Sequence, residues 1–125
     1  MPLLPKLLSG TKAQRHQNRE AELYRSLLRR EAKIGGEIFG PVQPGGKREF
    51  FCLDEHTWIW HEEWLDAKGV RKIKTTRYDI RPTGILKAQD GQGYQHVTAQ
   101  EAERLLQAAK LYEQRIRSEL YAAYI

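Results

Sequence analysis

The stretch TWIWHEEW at residues 57–64 holds three tryptophans, one histidine and two glutamates. Carboxylates and imidazoles transfer protons and bind metals, and tryptophan rings can stack on ligands or nucleic-acid bases. Successive residues of a β-strand point to opposite faces. If the stretch is a strand, the three tryptophans share one face with Glu62, and His61 shares the other face with Ile59 and Glu63.

Tight-turn signals on both sides of this stretch predict the neighbours of each side chain. In the predicted registers, Glu49 lies opposite Glu62, and Glu62 lies opposite Lys74. Trp64 follows on the same face. Close carboxylates raise one another's pKa and can divide acid and base roles. A small-ligand or enzymatic pocket formed by Glu49, Glu62, Trp64 and Lys74 is therefore one hypothesis, and a solvated rim of ion pairs is the other.

The rest of the face that carries the tryptophans is predicted to be apolar. Large aromatic side chains prefer protein interiors, and burying two of them stabilises a fold by several kcal/mol, at roughly 25 cal/mol per Å². Ile80 is predicted to lie opposite Leu86. The predicted core face consists of Phe51, Leu53, Trp58, Trp60, Tyr78, Ile80 and Leu86.

The opposite face is predicted to mix apolar and charged side chains. Phe50, Ile59 and Ile73 would lie there beside His61, with no helix left to cover them. An exposed apolar patch on a soluble protein usually marks an interface. Charges of both signs also suit a two-fold contact in which a patch meets its own copy. The sequence therefore predicts a homodimer through Phe50, Ile59, His61 and Ile73.

Neither a metal centre nor a nucleophile is strongly indicated. His61 and Glu63 share a face near Cys52, but their spacing matches no zinc pattern, so we expect no metal and no cofactor. Cys52 beside His61 is the one nucleophile–base pair that the predicted register suggests. A buried cysteine that acts as a small apolar residue is the more common arrangement, and we therefore favour a non-catalytic protein.

The amino-terminal part of the chain predicts a tail followed by a long helix. Residues 1–10 are apolar but interrupted by prolines. Over 11–34, apolar side chains recur at spacings of three and four, which is typical of an amphipathic helix. Gly35-Gly36 follows directly and is a common signal for the end of a helix.

The rest of the chain predicts a sheet and a second helix. Residues 47–98 alternate β-rich runs with turn residues, which indicates an antiparallel meander of four or five strands. Thr98 and Glu101 fit a capping box that opens a helix over 99–121. The predicted fold is therefore α+β, a single domain over 11–125 in which an N-terminal and a C-terminal helix flank the sheet.

Charge and composition define the remaining expectations. The chain has 21 Lys and Arg against 16 Asp and Glu, a net charge of +5. No apolar run reaches the length of about 18 residues that a spanning helix needs, and the single cysteine favours a reducing compartment, here the cytoplasm. A basic tract on the first helix is the candidate nucleic-acid contact. It consists of Arg15, Arg19, Arg25, Arg29, Arg30 and Lys33.

These observations favour a small non-catalytic binding or adaptor protein that self-associates through the outer sheet face. Two alternatives stay open. One is a nucleic-acid-binding module that uses the basic helix, and the other is a ligand-binding or enzymatic pocket at the Glu49/Glu62 end of the sheet. The order of helix, meander and helix occurs in many unrelated folds, so it carries no function by itself.

Overall fold

The computed structural model of the protein describes residues 12–122. It contains an antiparallel sheet with one helix before it and one after it, which confirms the predicted α+β class. The predicted tail over 1–10 and the predicted helix start at Thr11 lie outside the described residues. The elements are α1 (Lys12–Glu37), β1 (Lys47–Asp54), β2 (Thr57–Leu65), β3 (Arg71–Arg81), β4 (Gly84–Gln89), β5 (Gln95–His96) and α2 (Ala99–Glu119).

The chain divides into two compact units, and the division falls inside α1. The first unit extends to Arg30 and the second begins at Glu31. The sheet, α2 and the last residues of α1 therefore belong to the second unit. Among residues 12–122, no helix has both the length and the apolar character needed to cross a bilayer.

The five strands lie side by side in chain order, β1-β2-β3-β4-β5. The predicted register between β2 and β3 is confirmed: Trp58 pairs with Tyr78 and Glu62 pairs with Lys74. The turn that sets this register closes at Gly69, whose φ of 79° is the left-handed conformation that glycine adopts without strain. We call the face that carries Trp58 and Glu62 the inner face.

The predicted register between β1 and β2 is wrong by one residue. Asp54 pairs with Thr57, but a β-bulge leaves Leu53 without a partner, and Cys52 then pairs with Trp58. One extra residue moves the side chains beyond it, here those of residues 47–52, to the other face of the sheet. Phe50 therefore lies on the inner face, opposite Trp60.

The bulge reverses the predicted faces of β1 over residues 47–52. Phe51, which was predicted to lie in the core face, pairs with Ile59 on the outer face. The register between β3 and β4 also differs from the prediction, because Ile80 pairs with Ile85, whereas Leu86 pairs with Asp79. Pro82 and Thr83 alone form that turn, which is one residue shorter than the predicted pairing of Ile80 with Leu86 requires.

Helix α1 does not end at Ile34 but continues through both glycines to Glu37. The glycines serve close packing instead of termination. A Cβ atom on Gly35 would lie 1.8 Å from the carbonyl oxygen of Phe50, and a Cβ on Gly36 would lie 1.9 Å from that of Arg48. No side chain fits at these distances, so the helix lies directly against the backbone of β1.

The core lies between the inner face and α2. It is built from Phe50, which is 1% exposed, and from a stripe along one side of α2. The ring of Phe50 stacks on Trp58 with centroids 5.0 Å apart. Trp58 and Trp60 are only partly buried but pack against this cluster, as their predicted core role requires. The buried α2 residues of the cluster are Leu105, Ala108, Tyr112 and Ile116.

Replacement of Gly35 or Gly36 by alanine should destabilise the protein. In an ordinary helix this change stabilises by about 1 kcal/mol. Here the new methyl group would displace α1 from β1, and overpacking of this kind costs roughly 1–3 kcal/mol. Urea unfolding measures the difference. Gly93→Ala is the matched control, because a Cβ at Gly93 meets nothing within 4 Å, and equal effects at the three sites would contradict the close-packing argument.

Deletion of Leu53 should leave the sheet register unchanged. Leu53 is the unpaired bulge residue and is 41% exposed, so its removal gives a plain hairpin in which Cys52 still pairs with Trp58. Deletion of Phe51 instead puts Glu49 opposite Trp60 and should cost several kcal/mol, about the cost of removing a buried Phe. Cross-strand NMR contacts between Phe50 and Trp60 report the register. Their loss in the Leu53 deletion would refute this account.

Candidate functional site

An open cavity of about 390 Å³ lies between the inner face and α2. Its floor consists of side chains on the inner face of the sheet, and its wall consists of side chains from the first three turns of α2. The floor combines aromatic rings with polar groups. The lining residues are Phe39, Phe50, Trp60, Glu62, Lys74, Thr76, Tyr78, Lys87, Gln89, Thr98, Glu101, Arg104, Leu105 and Ala108.

One side of the cavity is aromatic. The rings of Phe39 and Trp60 meet edge to face with centroids 4.7 Å apart. Arg48 covers this pair, because its guanidinium lies 5.8 Å from the Phe39 centroid and 6.0 Å from the Trp60 centroid. Arg48 also donates hydrogen bonds to the carbonyl oxygens of Gly36 (2.7 Å) and Gly40. These bonds hold Phe39 at the cavity although it lies outside any helix or strand.

The opposite side of the cavity is a closed polar network. Lys87 donates to both carboxylate oxygens of Glu101, at 2.9 and 3.1 Å, and the Tyr78 hydroxyl donates to the same carboxylate at 3.1 Å. Burial raises the pKa of Tyr78, and the charge of Glu101 raises it further. Thr98 caps α2 by accepting a hydrogen bond from the Glu101 amide, as predicted, but the Glu101 carboxylate bonds to the sheet.

Three charged side chains line the cavity without a side-chain partner among residues 12–122. Glu62 and Lys74 are opposite one another on neighbouring strands, and Arg104 projects from α2. Among the described residues, none of the three makes a hydrogen bond or an ion pair. Because Lys87 and Glu101 neutralise one another, the remaining charges of the lining are two cations and one carboxylate. The cavity is therefore electropositive and has free hydrogen-bond donors.

Two of the four predicted ligand residues line this cavity. Glu62 and Lys74 lie there together, as the register of β2 and β3 predicts. Glu49 does not, because the bulge turns it to the outer face, where it pairs with His61 across the strands and lies 3.7 Å from the Lys47 ammonium. The predicted contact of Glu49 with Glu62 is therefore wrong, and so is the close pair of carboxylates that would divide acid and base roles.

Trp64 also lies outside the cavity. It is 39% exposed and lines a separate hollow next to the loop before β1. It shares the face of Glu62 by strand alternation, but it lies two residues further toward the end of the sheet. The fourth predicted ligand residue therefore belongs to a different surface.

On the outer face, His61 lies in a short chain of polar contacts. One ring nitrogen is 2.7 Å from the Thr75 hydroxyl and the other is 2.8 Å from a Glu63 oxygen, while Arg71 donates to Glu63 at 3.1 Å. The hydrogen bond with His61 lowers the pKa of Glu63. A hydroxyl, an imidazole and a carboxylate in sequence resemble a nucleophilic relay. The Thr75 amide is bonded to Asp90, however, so it cannot stabilise an oxyanion.

The outer face carries three of the four predicted interface residues, and it carries Phe51 in place of Phe50. Ile59 and His61 are partly buried, and Ile73 is 56% exposed on the outer face. Phe50 was predicted to join them, but the bulge turns it into the core. Cys52 likewise lies on the inner face opposite Trp58 and does not lie beside His61, so the predicted cysteine–histidine pair does not form. Burial raises the pKa of its thiol.

The six predicted nucleic-acid residues all lie on α1, and all six are exposed. Five of them belong to the first unit, whereas Lys33 belongs to the second. Within residues 12–122, no cluster of His, Cys, Asp and Glu suits a metal ion.

Several cavity residues were not among the predicted site residues. Arg104 is one turn from Glu101 and beside Leu105 on α2, so helical spacing from the Thr98 cap could have identified it. Thr76 and Gln89 follow from strand alternation, and Gln89 donates to the Thr76 hydroxyl at 3.0 Å. No sequence pattern indicates Phe39, because it is held by an arginine of a neighbouring strand.

Comparison of the chain with models of known protein families, with curated proteins and with solved structures found no match.

Alkaline titration should show that the buried tyrosines ionise late. Burial and a neighbouring carboxylate raise the pKa of both Tyr78 and Tyr112. A group with a raised pKa in the folded state contributes stability that is complete below its ordinary pKa, near 10, and is lost as the pH rises above it. Tyrosinate absorbance should show a late fraction, meaning tyrosines that ionise only at high pH. This fraction should contain one tyrosine fewer in Tyr78→Phe. An unchanged late fraction would contradict the Glu101 contact.

Proposed function

We propose that the protein is a non-catalytic binding protein whose ligand is a small molecule with an apolar body and an acidic group. The ligand occupies the cavity between the inner face of the sheet and α2. The observation that carries the proposal is that Lys74 and Arg104 line this cavity without partners among the described residues.

The charge of the cavity supports an acidic ligand. An ammonium and a guanidinium that face a concave surface attract a carboxylate, sulfonate or phosphate, and hydrogen bonds to charged groups are stronger than neutral ones. Arg48 adds a third positive charge at the edge, since its partners are uncharged carbonyl oxygens. Glu62 opposes this field and favours a ligand that also carries a hydrogen-bond donor.

The aromatic floor supports an apolar body. Phe39 is 42% exposed, which is unusual for a ring that is fixed by its neighbours. Small-ligand sites typically combine an apolar surface with a few polar groups that converge on it. A suitable ligand would place a flat ring against Phe39 and Trp60 and its acidic group toward Lys74 and Arg104. It would then contact both halves of the cavity.

The same side chains argue for binding without catalysis. The buried polar groups of the cavity are engaged with one another, as in the contact of Glu101 with Tyr78 and Lys87. Acid–base chemistry by two carboxylates was the strongest enzymatic hypothesis, and the position of Glu49 removes it. A paired and immobile network holds the shape of a site, whereas a catalytic base must remain available to a substrate.

Self-association through the outer face stays a prediction that rests on Ile59, His61 and Ile73. The bulge removes Phe50 from this patch and places Phe51 there instead, opposite Ile59. The cytoplasmic location is likewise proposed only from the single cysteine.

Binding of anilinonaphthalene sulfonate, an aromatic acid, tests the proposal directly. We expect one site per chain, with energy transfer from tryptophan because Trp60 forms the floor. Lys74→Gln and Arg104→Gln should each weaken binding about ten- to hundredfold, the effect of losing a hydrogen bond to a charged group. Glu62→Gln should strengthen binding, because it removes a repulsive charge.

Two controls separate this site from nonspecific binding. Lys110→Gln removes a cation from an exposed part of α2 that does not line the cavity, and it should leave the affinity unchanged. The uncharged analogue phenylnaphthylamine should be insensitive to Lys74→Gln but weakened by Phe39→Ala. If Lys110→Gln and Lys74→Gln weaken sulfonate binding equally, only the net charge matters and the proposal fails.

A further inference from the structure

The first unit of the chain carries a strongly charged surface whose described residues do not line the cavity. Its described part is the helical segment 12–30, which contains six cations and two glutamates. At 1.5 Å per residue this segment is about 28 Å long. Every one of its cations is exposed. The cations are Lys12, Arg15, Arg19, Arg25, Arg29 and Arg30.

Helical geometry gathers these cations on one side. With 3.6 residues per turn, all six fall within about 140° of the helix circumference. The remaining side carries Leu23 and Leu27 together with Glu20, which forms an ion pair with His16 at 2.9 Å. Glu22 is the one carboxylate within the cationic arc. We call this arc the basic stripe.

The basic stripe is not neutralised within the described chain. None of its six cations makes a hydrogen bond or an ion pair with another residue of 12–122. Surface cations that serve only solubility are usually mixed with carboxylates. A stripe of one sign along a helix attracts polyanions, and its field acts over about 10 Å at moderate salt.

The polar character of the segment favours nucleic acid over a membrane surface. A helix that lies in a bilayer interface needs an apolar face along its length. Residues 12–20 contain no apolar side chain larger than alanine, so only the later turns could insert. Phosphate contacts need no apolar face, and an α-helix fits the major groove of a duplex.

We propose that the basic stripe binds duplex nucleic acid through phosphate contacts, without sequence preference. This function is separate from the cavity, and either can fail without the other. Contacts of this kind bind with dissociation constants of about 10⁻⁶ to 10⁻⁴ M at physiological salt and weaken steeply as salt increases.

Fluorescence anisotropy of a labelled 20-base-pair duplex, read with the full chain, tests the proposal. The triple variant Arg25→Gln, Arg29→Gln, Arg30→Gln should weaken binding at least tenfold at low salt. It should also make the slope of log affinity against log salt shallower by about two to three, because each lost phosphate contact contributes about 0.9. Circular dichroism should show an unchanged helix content, since glutamine is a good helix former.

A triple variant elsewhere supplies the matched control. Lys68→Gln, Lys110→Gln and Arg117→Gln remove the same charge from exposed positions outside the segment, and they should retain the wild-type affinity and salt slope. Equal losses in both variants would mean that net charge alone is responsible, and the proposal would be overturned. Binding to vesicles of phosphatidylserine and phosphatidylcholine without duplex binding, or binding to neither, would overturn it as well.

Discussion

The rest of this fold depends on the contact between the end of α1 and the edge of β1. Two glycines bring the helix backbone so close that the carbonyl groups of Phe50 and Arg48 occupy the space of a side chain. β1 is the edge strand of the sheet, and the end of α1 lies directly against its backbone. The same contact places the Gly36 and Gly40 carbonyls within reach of Arg48, which in turn holds Phe39 beside Trp60.

The second constraint is the β-bulge in β1. The single unpaired residue Leu53 decides which side of the sheet each preceding β1 side chain faces. With the bulge, Phe50 fills the core and stacks on Trp58; without it, the core would receive Phe51, and Glu49 would point into it. The bulge thereby determines the composition of both faces at once. It places Phe50 in the cavity floor and Phe51 on the outer face, opposite Ile59.

The features that could be predicted from the sequence and those that could not have different physical origins. The register of β2 with β3 could be predicted because Gly69 admits only a narrow set of turns, and this register brings Glu62 and Lys74 together. The bulge at Leu53 has no such signal, since leucine is compatible with both a paired and an unpaired position. Gly35-Gly36 is a common stop signal, and only the position of β1 reveals that it serves close packing. Arg104 could have been found by helical spacing, because it lies one turn from Glu101 and beside Leu105 on α2.

The order of the strands has a consequence for how the chain folds. Each strand pairs with its neighbour in sequence, so the sheet can grow by adding one hairpin at a time, and contacts of this kind form quickly. The contacts between α1 and the region of α2 are long-range instead, because Glu31 accepts hydrogen bonds from Tyr112 and Tyr121, at separations of 81 and 90 residues. During synthesis the sheet therefore emerges before the helix that covers it. Phe50 and the two core tryptophans stay in contact with water until α2 has left the ribosome.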